Sequence, residues 1–165
     1  MLGLSFSTFT ALHVVISLIG IATGLVVLWG MLAGRHLGGL TAVFLATTVL
    51  TSVTGFMFPF NQLLPSHFVG LISLVLLAVA LVALYGKQLS GAWRPAYVVT
   101  AVAALYLNIF VGIVQAFQKF GFLHALAPTQ AEAPFVVVQA AALVLFGVLG
   151  YLAVQRYHPT LSAAA

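Results

Sequence analysis

Apolar residues run along this chain in five blocks, and the polar positions fall mostly between the blocks or near their ends. The blocks cover residues 8–33, 39–60, 67–85, 95–117 and 134–154. Each is close to or longer than the roughly 20 residues an α-helix needs to cross about 30 Å of hydrocarbon. None alternates with a period of two, as the strands of a membrane barrel do. Backbone groups in lipid must satisfy one another within the segment, so the pattern predicts helices. The expected fold is all-α: a polytopic integral membrane helix bundle with five transmembrane helices, in a single transmembrane domain over residues 1–165.

The connectors are short and rich in glycine, proline and polar residues, at 34–38, 59–66, 86–94 and 118–133. The last is the longest and carries Phe120, Phe122, Leu123 and Leu126, which suits a segment lying in the membrane interface. The first ten residues hold no basic stretch and no small-residue cleavage site, so the first block is expected to stay as an anchor.

Composition agrees with lipid as the solvent. Apolar residues make up 64% of the 165 and charged residues only 4%, against roughly a quarter charged in soluble domains. The net charge of +4 comes from Arg35, Lys87, Arg94, Lys119 and Arg156, scattered singly between apolar blocks. A nucleic-acid-binding surface clusters its basic residues, so no nucleic acid is expected as a partner. With five spans, four of the five basic residues fall on one side and Lys119 alone on the other. The positive-inside rule then places the N-terminus outside and the C-terminus in the cytoplasm, in a multi-pass protein of a bacterial cytoplasmic membrane.

Several chemistries drop out. The chain has no cysteine, which removes disulfides, thiolate metal sites and cysteine-attached haem. Its only acidic residue is Glu132, which removes carboxylate-pair catalysis and di-metal carboxylate sites. No nucleophile elbow, phosphate loop or HExxH helix is present.

The basic residues also serve as rulers of depth. His13 precedes Arg35 by 22 residues and His67 precedes Lys87 by 20, or roughly 33 and 30 Å of helix. Gln115 follows Arg94 by 21 residues and Gln139 precedes Arg156 by 17, or roughly 31 and 25 Å. Four polar side chains on four helices thus share the outer edge of the hydrocarbon. On the first helix His13, Ser17, Gly20 and Gly24 form one stripe, and on the fourth Asn108, Gly112, Gln115 and Lys119 form another. Small and polar stripes face protein in membrane bundles. The hydroxyls of the second helix, including Thr47, Thr48, Thr51, Ser52 and Thr54, can bond back to their own carbonyls and carry little information. No ionisable side chain is embedded in the inner half, which argues against a pump or channel.

Two histidines at one depth suggest axial ligands to a haem b, His13 from the first helix and His67 from the third, with Gly20 and Gly70 making room. His124 would complete a three-imidazole metal site only if the chain folds back after Gly121. Asn108, Gln115 and Gln139 are candidate contacts to a quinone or lipid head, and equally serve as interhelical glue, with Glu132 paired to Lys119. Tyr85, Trp93, Tyr97, Tyr151, Tyr157 and Trp29 read as an aromatic belt at the cytoplasmic ends. The leading expectation is an electron-transfer-related protein binding haem b or a quinone near the outer leaflet. The alternatives are a non-catalytic accessory subunit of a larger membrane complex, and a small carrier of an apolar or lipid-like substrate. Partner subunits of a membrane complex or a homo-oligomer are candidate partners beside the lipid bilayer.

Overall fold

The computed structural model describes residues 5–58 and 65–159. Every regular element among them is helical: α1 (Phe6–Leu32), α2 (Gly38–Gly55), α3 (Pro65–Leu81), α4 (Trp93–Lys119), the short α5 (Gly121–Leu126) and α6 (Ala133–Arg156). A π-helical turn (Val82–Gly86) continues α3. Five of these segments are long and apolar enough to cross a bilayer. Their outward faces carry Leu18, Leu71, Val75, Val137 and Val144, all largely exposed. An exposed apolar surface of this extent fits acyl chains rather than water. The architecture is that of a multi-pass membrane protein.

Local chemistry sets the ends. At the start of α1 the Ser5 hydroxyl accepts the Thr8 N–H at 3.2 Å, the usual N-cap bond. At its finish Gly34 takes φ +70°. Gly34 N–H then donates to Met31 and Arg35 N–H to Gly30, at 3.0 and 2.8 Å. That is a Schellman ending, which needs a residue tolerant of left-handed backbone. Pro134 opens α6, where a missing N–H costs nothing.

One boundary differs from expectation. The second apolar block runs to residue 60, but α2 stops at Gly55 and is followed by a turn at Phe56–Met57. A glycine weakens the last turn, and Pro59, which lies outside the described residues, disfavours helix in the residue before it. At 18 residues, α2 still rises about 27 Å, close to the hydrocarbon thickness.

α4 is the axis of the bundle, packing against α1, α2, α3 and α6. Its small and medium residues Val98, Ala101, Ala104 and Leu105 meet Leu28, Phe44, Leu77 and Phe146 from the surrounding helices in one core. Closest approach comes at Gly24 of α1, where an added Cβ would lie 2.6 Å from Leu105 and 2.8 Å from Phe44. The glycine stripe of α1 therefore faces protein as expected, with Gly20 and Gly24 buried. α6 is the outlying helix, packing mainly on α4 and α1 and burying least of itself among the described residues.

The aromatic belt is half of what the sequence suggests. Tyr85, Tyr151 and Trp29 are 56, 66 and 72% exposed, as belt residues should be, whereas Tyr97 and Tyr157 are 0 and 1% exposed. These two belong to the core. Tyr157 lies just past α6 and folds under the bundle, its ring 5.9 Å from that of Tyr97. Trp93 is half-buried, with the Lys87 ammonium 5.8 Å above its ring.

Candidate functional site

The end of the bundle away from Arg35, Arg94 and Arg156 holds the predicted histidines. His13 is half-buried on α1, and its Nδ1 lies 2.8 Å from the Thr54 hydroxyl near the end of α2. That hydroxyl has one proton, and it goes to the helix: Thr54 Oγ1 donates to the Leu50 carbonyl at 2.7 Å. Thr54 must therefore accept from His13, so Nδ1 carries the hydrogen. In the neutral ring Nε2 is then left with its lone pair. Phe58 stands edge-on to the imidazole, with ring centres 5.1 Å apart. Gly55 passes under the ring, its Cβ position 3.9 Å from His13 Cε1. Lys119, at the end of α4, lies within electrostatic reach.

His67 is buried at the start of α3, its ring centre 5.6 Å from that of Phe56. The same Phe56 fills the space beside Gly70, 3.1 Å from where a Cβ would be. The two histidines thus flank the end of α2, with His13 on Thr54 and Phe58 and His67 on Phe56. A porphyrin held between both imidazoles would have to replace these contacts. The two glycines expected to leave room are filled as well, Gly70 by Phe56 and Gly20 by Asn108, Thr47 and Thr48.

The three-histidine metal site does not assemble. Among the described residues no three His, Asp or Glu side chains gather at one point. His124 lies exposed on α5, a surface segment whose Phe120, Phe122 and Leu126 are also exposed. The chain does turn after Lys119, as the interfacial reading of this connector requires, with Phe120 extended before α5 begins.

The amides divide. Gln139 is buried and its Nε2 donates to the Phe110 carbonyl at 3.2 Å, joining α6 to α4. Its Oε1 is buried without a partner. Gln115 is exposed, so the outer half of the α4 stripe leaves the protein interior. Gln130 takes the gluing role there, donating to the Val114 carbonyl at 3.0 Å. Asn108 faces Gly20, Thr47 and Thr48, and its Nδ2 is buried with no acceptor. Both threonine hydroxyls donate back into α2, at 2.7 Å.

Glu132 does not pair with Lys119. Its carboxylate accepts from the Thr129 N–H and hydroxyl, at 3.2 and 2.8 Å, and from the Ala131 N–H at 3.1 Å. Slight desolvation opposes its charge, but these hydrogen bonds outweigh it and hold the carboxyl below its usual range. A carboxylate one residue before a helix is well served by its own loop and needs no distant cation.

Thr54 and Phe58 complete the surroundings of His13; the sequence set Thr54 aside among the self-bonding hydroxyls and gave no sign of Phe58. The depth ruler would have found Thr54, which lies 16 residues beyond Gly38, or roughly 24 Å along the helix. At the opposite end a second polar cluster forms around Tyr157, made by His36, Arg94 and Tyr97. Compared with protein-family models, with curated proteins and with solved structures, the chain matches none.

Proposed function

We propose that the chain binds the hydroxyl-bearing head of a quinol-type lipid at the end of α1, with His13 Nε2 as the accepting atom. The observation behind this reading is the Thr54 hydrogen bond, which fixes the His13 tautomer and leaves a lone pair on Nε2. A quinol presents an O–H to such an acceptor, and His is the side chain suited to taking that proton near neutral pH. Lys119 supplies a positive charge beside a head group that becomes more negative as it loses the proton. The apolar ring and tail of such a lipid suit the phenylalanines around the site, Phe9 and Phe58. The protein would thus serve electron-transfer chemistry as a binder of the redox lipid.

The test is direct. Protein purified in mild detergent is extracted with organic solvent and the extract read for quinones by mass spectrometry. His13→Ala should lose the quinone, and Lys119→Gln should weaken its retention. An extract free of quinone from wild-type protein reconstituted with excess quinone would remove this reading. A Soret band lost in both His13→Ala and His67→Ala would replace it with haem, for which the same free Nε2 would serve as ligand.

A second reading rests on α6. Its outer face, lined by Val137, Ala140, Ala141, Val144, Leu145 and Val148, is a shallow apolar surface made by one helix. Such a face suits a membrane partner as well as lipid, and an accessory subunit would use it. Stable co-purification of a stoichiometric partner, lost on Ala141→Leu and kept on His13→Ala, would favour that role.

A further inference from the structure

We propose that the basic end of the bundle holds the phosphate of an anionic phospholipid, cradled by Arg35, Arg94 and Arg156 around Tyr157. The three arginines come from three separate segments: the α1–α2 link, the first turn of α4 and the last turn of α6. Contacts at Tyr157 bring these three backbone segments together. Arg94 Nη1 donates to the Tyr157 carbonyl at 2.9 Å, and the His36 Nδ1 lies 2.8 Å from the Tyr157 hydroxyl. The Arg156 carbonyl lies 3.3 Å from where a Cβ on Gly34 would be, so the backbones next to Arg35 and at Arg156 run close together.

Among the described residues no side-chain carboxylate answers this charge. Glu132 is the only acidic residue of the chain, and its carboxylate is occupied by Thr129 and Ala131 at the other end of the bundle. Lys87 adds a fourth cation on the same rim, resting over Trp93. Arg94 spends one N–H on Tyr157 and keeps others of its five donors. Arg35 and Arg156 are exposed at helix ends, where phospholipid head groups lie. A guanidinium fork matches two phosphate oxygens, and several forks on one anion add geometric selectivity that a lone surface charge lacks. Basic clefts between helix ends are the usual seats of anionic head groups.

The experiment uses full-length protein in nanodiscs of mixed phosphatidylglycerol and phosphatidylcholine, followed by native mass spectrometry of the lipids retained. Phosphatidylglycerol should be kept in preference to phosphatidylcholine. Arg35→Gln and Arg94→Gln should each lower that preference about fivefold, the share of one basic side chain. Gln118→Ala, an exposed uncharged side chain at the opposite end, should leave it unchanged. Arg94→Gln also loses the Tyr157 bond and can lower stability by that route. Arg35→Gln removes only an exposed side chain, so with an unchanged melting temperature it decides the matter. Equal retention of the two lipids, or an Arg35→Gln protein as selective as wild type, would overturn the proposal. Displacement of the lipid by millimolar inorganic phosphate would overturn the lipid assignment and give the cradle to a soluble phosphate.

Discussion

His36 and Tyr157 stand 121 positions apart in the chain, and the imidazole Nδ1 meets the phenol oxygen at 2.8 Å. The contact ties the link after the first span to the residue just beyond the last. Burial pushes the Tyr157 phenol up, so it stays protonated and available to the ring. Tyr157→Phe removes one half-buried hydrogen bond and should cost about 1 kcal/mol. Thermal unfolding in detergent would measure it.

The same contact predicts a pH dependence. Burial lowers the pKa of His36 below its ordinary value of 6.5, because the charged ring is poorly solvated there. Below that value the unfolded chain takes up a proton that the folded chain refuses. The contribution of His36 is thus level above pH 6.5 and turns destabilising as the pH falls through it toward the folded pKa. The neighbouring Arg35, Arg94 and Arg156 are all cations, so none rescues the charged ring. His36→Gln should lose less stability than wild type between about pH 7.5 and about pH 5.5, a range spanning the ordinary histidine value. Parallel melting curves for the two proteins would refute this.

Gly24 and Gly147 should respond in opposite ways to one methyl group. An added Cβ at Gly24 strikes Leu105 and Phe44 below 3 Å, while at Gly147 nothing lies within 4 Å. Gly24→Ala should destabilise by about 1–3 kcal/mol through overpacking. Gly147→Ala should leave stability unchanged or slightly raised, since alanine favours helix. Unfolding in mixed micelles distinguishes the two.

Gln139→Leu should change stability little. The substitution deletes the bond to the Phe110 carbonyl, and with it the buried Oε1 that has no partner. Interhelical hydrogen bonds in membranes average about 0.6 kcal/mol. A loss well above about 2 kcal/mol would show that the amide oxygen has a partner, such as a bound water or ligand.

Single cysteines at Ser90 and Thr129 test the topology. Both positions are exposed, one in the link before α4 and the other in the link before α6. An impermeant thiol reagent should label them from opposite faces of the membrane. Labelling from one face would undo the alternation of spans and the separation of the two polar clusters.

The five spans were legible because lipid demands long apolar helices, a constraint written into every block. The depth of His13 and His67 followed from helix rise alone. What stood between them did not, because the turn at Phe56–Phe58 lies in the stretch where helix periodicity fails. Tyr157 misled for another reason. A tyrosine beside a helix end has the same local sequence whether it points to head groups or folds beneath the bundle. Only His36 and Arg94, brought from other segments, decide which. The partner of Glu132 was missed in favour of Lys119 because charge suggests charge, whereas three loop donors lay within three residues.

The clamp on Tyr157 also bears on how the chain is built. Helices enter a membrane in order of synthesis, and α1 to α4 contain most of the packed core, so they can settle before α6 arrives. α6 brings little burial of its own. Tyr157, which emerges only after that span has been made, adds a tie at its far end to the contacts that Gln139 and Phe146 make with α4. A ribosome-bound chain that stops short of residue 157 would hold α6 by its contacts with α1 and α4, without the tie to His36 and Arg94. The contacts of Tyr157 thus join segments made early and late in synthesis, and they form only once all five spans have been translated.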